Sequence, residues 1–226
     1  MSVTGIVAAL TAEARTLGQL PNDRLLAISG MGPQAAARAA QALVAAGAQG
    51  LLSFGLAGAL DPRLQAGALL LPHTIINAAG GAYSAYGPWR ERLAAQAGAV
   101  ADARGVVGDT LLSVPQPLAS VAAKFQARAD SGACAVDMES FAIGEVAARM
   151  GVRFAVARVV IDSATDALPL SVIQATGAYG EVNLPRLVAG LMRAPAELPA
   201  LMRLPPRYRA ALRSLRALGR MDLGLP

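Results

Sequence analysis

Residues 135–162, AVDMESFAIGEVAARMGVRFAVARVVID, contain the alternation of elements from which the fold class follows. The pattern predicts a short strand over Ala133–Val136, a helix over Met138–Met150 and a buried strand over Val152–Ile161. The helix places its apolar residues on one face, and Gly151 follows it as a C-terminal glycine commonly does. A strand, a helix and a second strand in this order are typical of an α/β protein.

Two acidic residues, Glu139 and Asp162, stand where the predicted strands of this stretch end. In an open α/β sheet, ligands bind outside the carboxyl ends of the strands. We therefore expect both carboxylates to face one crevice. Two carboxylates in that position can have separate roles in cleaving a bond to a sugar. One can bind hydroxyl groups while the other donates a proton.

The same alternation extends along most of the chain. It predicts a three-layer α/β sandwich with a central mixed sheet flanked by helices, in a domain at 1–184, plus a basic C-terminal helical extension at 185–226. The remaining predicted strands are Val3–Leu10, Arg24–Ser29, Gly50–Phe54, Ala68–Asn77 and Gly105–Val107. The remaining predicted helices are Pro33–Ala46, Pro117–Arg128, Leu184–Arg193, Ala196–Leu204 and Arg207–Leu218. A glycine-rich segment, 80–87, is expected to be an exposed loop, either a lid or a plain surface loop.

The charge of the chain is unevenly distributed. Residues 1–184 carry 12 basic and 13 acidic residues, whereas residues 185–226 carry 8 arginines and 2 acids. The extension therefore carries a net charge of +6, whereas residues 1–184 carry −1, which gives the total of +5. Two uses of it stay open: peripheral contact with a membrane, or helices that pack on the domain or on a neighbouring subunit. Nucleic acid is not expected as a partner, because the extension has few aromatics and no recognised motif.

The single cysteine and the single histidine exclude several classes of site. Cys134 cannot form an internal disulfide and lies in an apolar stretch, so we expect a buried, inert thiol in a reducing compartment. His73 has neither a second metal-ligand partner nor a marked serine, which argues against a metal site and a Ser-His-Asp triad. No signal peptide or spanning helix is expected, and we predict a cytoplasmic protein that needs no cofactor.

Four further segments combine glycines or an acid with a strand end. They are Gly5–Arg15, which contains Glu13, Ile28–Ala35, Ser53–Leu60 and Val107–Leu112. The second matches G-x-G-x-x-A, but a dinucleotide site also needs an acid about 20 residues later, and none is present there. Glycines at strand ends allow the backbone to approach a ligand closely, and tight turns explain each of them equally well.

Together, in order and spacing, these segments resemble the nucleoside phosphorylase superfamily, on the branch of the methylthioadenosine/adenosylhomocysteine nucleosidases. The resemblance runs from about Gly5 to Asp166, and Asp137-Met138-Glu139 followed by a helix, a strand and Asp162 is its most specific part. The resemblance is closer to the hopanoid-associated phosphorylases. It is carried by the residues around Glu13 and Gly55 and by the arginine-rich extension. That subfamily is thought to remove adenine from adenosylhopane, a ribosyl-extended triterpenoid.

The resemblance implies roles for the acids. Glu139 would bind the ribose 2′- and 3′-hydroxyls, and Met138 would pack against the sugar. Asp162 would protonate the purine N7 so that adenine leaves neutral, and Glu13 would activate water. Developing positive charge on the sugar would be stabilised by these carboxylates.

The resemblance also implies the residues around the acids. Leu111 and Leu112 correspond to the stretch that stacks on the base, and Arg15 could hold phosphate. The pocket for the nucleophile and sugar would be lined by Gly30, Gly32, Gly55, Leu56 and Gly58. The implied assembly is a homo-oligomer.

Two departures make the predicted pocket more apolar. Ile161 replaces a small hydroxyl residue that helps to orient the acid in the nucleosidases, and Leu56 replaces a serine near the nucleophile. The nucleophile therefore stays open: Glu13 favours water, whereas Arg15 could favour inorganic phosphate as a co-substrate. The substrate is expected to be a small or lipid-linked nucleoside, most simply adenosylhopane. The alternatives are a methylthioadenosine/adenosylhomocysteine nucleosidase and a non-catalytic nucleoside-binding protein on the same fold.

Overall fold

A ten-stranded mixed sheet forms the centre of the computed structural model, which describes residues 2–100, 106–107 and 109–226. The strands are β1 Thr4–Ala8, β2 Arg24–Ile28, β3 Gly50–Ala59, β4 Leu69–Leu70, β5 Thr74–Asn77, β6 Ala82–Ser84, β7 Val106–Val107, β8 Leu111–Ser113, β9 Ala135–Asp137 and β10 Arg153–Asp162. The helices are α1 Thr11–Ala14, α2 Pro33–Ala45, α3 Gly87–Val100, α4 Val121–Ser131, α5 Ser140–Met150, α6 Leu170–Ala175, α7 Leu184–Arg193 and α8 Leu198–Gly219.

The central strand β3 has two different neighbours on one of its sides. It pairs with β10 in parallel over most of its length, and on the other side β1 pairs in parallel with residues 50–53. Further along, β9 pairs antiparallel with Gly58 and Ala59. Residues 54–57 lie between these two pairings, and this is where the sheet divides. A ligand-binding crevice commonly forms at such a switch point.

Helices cover both faces of the sheet. On one face, α2 and α5 pack together through small and branched residues such as Ala36, Ala40 and Ile143. On the other, Trp89 of α3 and Leu215 of α8 enter a second apolar cluster. The predicted α/β architecture with a central mixed sheet flanked by helices is confirmed.

The basic segment 185–226 is divided between surface and core. Ala211, Leu215 and Leu218 of α8 are buried against the sheet, as is Leu223 beyond the helix. By contrast, α7 contains no buried residue. The second half of α8 therefore belongs to the same core as the sheet, while the boundary at residue 184 stays a prediction.

The predicted helix break at Pro205-Pro206 is wrong, because α8 continues through both prolines. A proline inside a helix removes one backbone hydrogen bond and usually bends the axis. Here Met202, one of the residues whose carbonyl loses its partner, is exposed. Water can therefore satisfy that carbonyl. The turns after the prolines are held by the apolar packing of Ala211, Leu215 and Leu218.

Local elements also differ from the predictions at several other places. The predicted strand Ala68–Asn77 is two strands, β4 and β5, and the predicted loop at 80–87 contains β6. The strand predicted over Gly50–Phe54 continues to Ala59, and α3 was not expected. Gly105, in another predicted strand, lies outside the described residues. In the part of the chain that the structure describes, no helix is long and apolar enough to cross a membrane.

Candidate active site

The ends of three strands meet around one cavity of about 170 Å³. Glu13 follows β1, Glu139 follows β9 at the start of α5, and Asp162 is the last residue of β10. All three side chains are buried and line the cavity. The remaining lining is mostly apolar and includes Leu10, Met31, Leu56, Leu118, Ile161 and Leu168. The structure thus brings together the carboxylates that were expected to face one crevice.

Three backbone N–H groups hold the Glu13 carboxylate. Its Oε2 accepts hydrogen bonds from Ala9 at 3.0 Å and Leu10 at 2.9 Å, and its Oε1 accepts one from Leu56 at 2.8 Å. Burial nevertheless raises the pKa of Glu13, against the attraction of Arg158 and these N–H groups. A raised pKa makes a carboxylate a better proton acceptor near neutral pH, so Glu13 is suited to act as a general base.

Gly55 leaves open the space that Glu13 and Arg158 both border. Gly55 pairs directly with Arg158 in the β3–β10 ladder. A Cβ atom at Gly55 would lie 2.5 Å from Glu13 Oε1 and 2.7 Å from Arg158 Nη1, so a side chain there would displace both groups. Arg158 Nη1 also donates to the Leu56 carbonyl at 3.2 Å. The backbone of Leu56, where the sheet divides, is therefore satisfied by side chains of the site.

The buried guanidinium of Arg158 connects the acids of the site. Its Nη2 lies 2.7 Å from Asp137 Oδ2 and 3.3 Å from Glu139 Oε2, and it donates to Ser53 Oγ at 2.9 Å. Asp137 also accepts a hydrogen bond from the Ser140 N–H at 3.1 Å. Burial lowers the pKa of Arg158, but the neighbouring carboxylates outweigh it and raise the pKa overall. Arg158 is thus a fixed positive charge among several acids.

Glu139 is held at both oxygens but keeps acceptor capacity. Its Oε1 accepts a hydrogen bond from the Gly32 N–H at 3.0 Å, and its Oε2 faces Arg158. Burial, which outweighs the attraction of Arg158, raises the pKa of Glu139 to about 7. An ionised carboxylate has about four acceptor sites. Glu139 can therefore accept hydrogen bonds from hydroxyl groups of a ligand in the cavity.

The raised pKa of Glu139 predicts how stability depends on pH. The folded protein binds this proton more tightly than the unfolded chain, so the contribution is full below pH 4.5 and is lost as pH rises to about 7. We expect Glu139→Gln to reduce the fall in unfolding free energy between pH 5 and about 7.5, by at most about 3 kcal/mol. Urea unfolding at both pH values measures it, with the exposed Glu145→Gln as control. Equal falls in Glu139→Gln and the parent would contradict the assignment.

The third acid, Asp162, forms a buried ion pair. Its Oδ2 accepts a hydrogen bond from Lys124 Nζ, which also donates to the Ser163 carbonyl at 3.0 Å. Its Oδ1 is buried and has no hydrogen-bond partner among the described residues. Burial raises the pKa of Asp162, although the attraction of Lys124 opposes this. A carboxyl group with a raised pKa and one free oxygen is suited to proton donation.

The other predicted site residues fall into two groups. Met138, Leu56 and Gly58 line the cavity. Four more lie outside its lining: Leu111 and Leu112 are buried in the core, Gly55 lies behind the carboxylates and Arg15 is exposed. Gly30 and Gly32 are also outside the lining, and they shape the turn before α2 with positive φ values of 79° and 99°. Leu111 and Leu112 were expected to line the site. The apolar residues from this part of the chain that line the cavity are instead Val114, Pro117 and Leu118.

Two charged residues of the site are not predicted by the sequence patterns. Arg158 is only an exception in an apolar strand, and Lys124 belongs to no motif. A charge in the middle of an otherwise buried strand is a usable signal for Arg158. For Lys124 the signal is that it is the only lysine of the chain.

The single cysteine and histidine lie away from the cavity. Cys134 is buried, and burial raises the pKa of its thiol to about 11, as expected for an inert thiol. His73 is exposed and does not line the cavity. Among the described residues there is no cluster of three or more His, Cys, Asp or Glu side chains that could hold a metal ion.

Solved structures with similar folds include nucleosidases and a hydrolase. The 5′-methylthioadenosine/S-adenosylhomocysteine nucleosidase of Neisseria meningitidis has a TM-score of 0.71 at 17% identity, covering 96% of this chain and 98% of that chain. A point mutant of the Helicobacter pylori nucleosidase, with 5′-methylthioadenosine in its active site, has a TM-score of 0.69 at 15% identity, with 96% and 98% covered. The futalosine hydrolase of H. pylori has 0.68 at 16% identity, with 96% and 97% covered.

The sequence itself matches a family. The comparison with curated proteins gave no match. The model of the Phosphorylase superfamily matches residues 13–191, which include the three acids and both cations of the site. The prediction of an enzyme of the nucleosidase or phosphorylase type is confirmed at this level. This chain belongs to the Phosphorylase superfamily.

Proposed function

We propose that this protein cleaves the N-ribosidic bond of a 5′-modified adenosine and releases adenine. The observation that carries the proposal is the meeting of Glu13, Glu139 and Asp162 around one cavity at the carboxyl ends of three strands. The similarity to nucleosidases that act on adenosine-type nucleosides supports the same reaction.

Each acid has a distinct part in the proposed reaction. Breaking the bond between the base and C1′ leaves positive charge on the ribose, which nearby carboxylates stabilise. Glu139 accepts hydrogen bonds from the ribose hydroxyls, and Glu13 removes a proton from the attacking water. Asp162 donates a proton to the leaving base, so that adenine departs as a neutral molecule.

The position of the attacking water follows from the hydrogen bonds of Glu13. Oε2 already accepts two N–H donors, whereas Oε1 accepts only one, from Leu56. The unused acceptor site is thus on Oε1. A water molecule that attacks from the cavity would donate a hydrogen bond to this oxygen.

For the substrate we propose adenosylhopane, an adenosine whose 5′ carbon carries an apolar triterpenoid. The apolar lining of the cavity supports this choice, since Leu10 and Met31 line it and Met31 is 36% exposed at its mouth. The segment that leads into α7 packs there: the Met31 N–H donates to the Ala178 carbonyl at 2.8 Å. Beside it, Tyr179 is half exposed. An apolar group leaving the cavity would meet this surface.

Incubation of the protein with adenosylhopane, with and without inorganic phosphate, tests the function. We expect adenine by chromatography and a hopane product whose mass corresponds to ribosylhopane with water or phosphoribosylhopane with phosphate. Release of adenine from methylthioadenosine but not from adenosylhopane would instead indicate a methylthioadenosine nucleosidase. Binding of either nucleoside without any release would indicate a non-catalytic protein.

For a lipid-linked substrate, we further propose that α7 contacts the surface of a membrane. Leu184, Val188 and Met192 recur every four residues on one side of α7 and are 66%, 56% and 80% exposed. Arg186 and Arg193 are also exposed. An exposed apolar face on a helix that carries arginines is the pattern of a helix lying at a lipid surface. Each arginine near an anionic surface contributes about 1 kcal/mol.

Flotation with vesicles tests this contact. We expect the parent protein to float with vesicles rich in phosphatidylglycerol, and the double variant Val188→Glu/Met192→Glu to lose most of this binding, about tenfold or more. Phe125→Glu, at a 44% exposed residue of α4, is the matched control and should bind as the parent does. If the double variant instead dissociates an oligomer and the parent does not float, the face of α7 is covered by a second copy.

A further inference from the structure

The only lysine of the chain is buried beside a carboxylate of the candidate site. All other basic side chains, 19 of 20, are arginines. Lys124 is 1% exposed and is the one buried residue of α4, whereas the neighbouring Phe125 is 44% exposed. Burying an ammonium group in place of an apolar side chain is costly. Packing of α4 therefore does not explain Lys124, and its partner, Asp162, does.

Lys124 occupies only one of the two oxygens of Asp162. Its Nζ donates to Oδ2 and to the Ser163 carbonyl, while Oδ1 is buried without a partner among the described residues. Gly58 faces Oδ1: a Cβ atom there would lie 3.1 Å from it. The space beside Oδ1 is therefore kept open where Asp162 borders the cavity.

We propose that Lys124 is the positioning residue of Asp162, and that it determines that the transferable proton resides on Oδ1; this inference rests on the proposed function. An ammonium group has three donors and no acceptor. Oδ2, which accepts from it, is thus the less favourable oxygen for a proton. The proton of the neutral carboxyl group resides on Oδ1, the oxygen that is free.

Charge is balanced throughout the proposed step. As the bond from C1′ to the base breaks, its electron pair moves into the purine, and the proton on Oδ1 passes to a ring nitrogen. Adenine leaves neutral and Asp162 becomes a carboxylate, whose charge is paired with the ammonium already in place. Lys124 thereby takes the orienting part that a hydroxyl residue would have at the position of Ile161.

Kinetics with adenosylhopane test the role of Lys124. We expect Lys124→Met, which keeps the length of the side chain, to lower kcat by about 10–100-fold with little change in KM. It should also move the alkaline decline of kcat to higher pH, by about 1–3 units, because the cation that favours ionised Asp162 is gone. Asp166 and Arg207, the other charged groups that act on Asp162, are unchanged.

Two variants separate positioning from stability. Lys124→Arg keeps the positive charge, so its kcat should decline at the same alkaline pH as the kcat of the parent. Arg128→Met removes a different ion pair of α4, with Asp61, and should leave both kcat and the pH profile unchanged. A folded Lys124→Met protein with the kcat or the alkaline decline of the parent overturns the proposal.

A spectroscopic measurement is independent of activity. Because the chain has one lysine, protein that carries isotopically labelled lysine gives a single Nζ signal in nitrogen NMR spectra. Asp162→Asn should shift this signal, and Asp61→Asn should not. An unmoved signal in Asp162→Asn would overturn the pairing. A shifted signal in Asp162→Asn, together with a parent protein that releases no adenine, would instead contradict the proposed function.

Discussion

Asp162→Asn should lower the rate of adenine release by about 10²–10⁴-fold, the usual contribution of a general acid. Asparagine keeps the shape of the side chain but has no transferable acidic proton. The burial that raises the pKa of Asp162 is unchanged, so the loss would report on the proton itself. Steady-state release of adenine from adenosylhopane between pH 5 and 9 measures the effect.

A matched control is available just beyond the end of the neighbouring strand. Asp61 follows β3, is 3% exposed and pairs with Arg63 and Arg128, but it does not line the cavity. Asp61→Asn should therefore retain the parent rate in the folded protein. If Asp162→Asn retained it too, the acid would be another group, and the assignment of Asp162 would be wrong.

The stability of the same variant separates chemistry from folding. Asp162→Asn leaves the buried charge of Lys124 without its counter-ion, which typically costs about 3–5 kcal/mol. Adding Lys124→Met removes that charge, so the double variant should recover most of the unfolding free energy. It should not recover adenine release, because the proton donor is still absent. Urea unfolding and the adenine assay on both variants check this.

The second large effect is expected for Glu13→Gln, which should lower water-dependent release by about 10²–10⁴-fold. The amide cannot accept the proton of the attacking water. It also has one acceptor oxygen, whereas the two oxygens of Glu13 accept three backbone N–H groups. At least one of those N–H groups would then face an NH₂ group, and we expect a stability loss of about 1–3 kcal/mol.

Assays of Glu13→Gln with and without inorganic phosphate test which nucleophile attacks C1′. If phosphate attacks C1′, it needs no base, and Glu13→Gln should retain phosphate-dependent release while losing the reaction with water. Glu145→Gln, on the exposed side of α5, is the control and should change neither rate. Full water-dependent activity in Glu13→Gln would exclude Glu13 as the base.

The pH profile of the parent enzyme should be bell-shaped. Glu13 must be ionised to accept a proton, and burial raises its pKa. Asp162 must be protonated to donate one, and its pKa is raised too. Activity should therefore increase with pH as Glu13 ionises and decrease as Asp162 ionises, and each single variant should lose the limb that its residue produces.

The architecture and the placement of the acids at strand ends could be predicted from the residues alone. Apolar strands followed by helices with small, regularly spaced residues allow only a few layered arrangements, and the observed mixed sheet is one of them. Glu139 and Asp162 follow strands, and strand ends meet at an edge of a sheet, so their convergence could be predicted. Short-range signals also located α2, α5 and α7 within a few residues.

The charges that lie beside the acids, in contrast, depend on the long-range packing of the chain. Lys124 precedes Asp162 by 38 residues, and Arg158 follows Glu13 by 145, so no local pattern links them. Their encounter depends on the packing of α4 and on the pairing of Gly55 with Arg158 across β3 and β10. Some of the apolar residues around the cavity, such as Met31, Leu118 and Leu168, likewise come from loops whose course depends on the whole fold. Long-range electrostatics, burial and the missing Cβ of one glycine therefore determine the proton chemistry of this site.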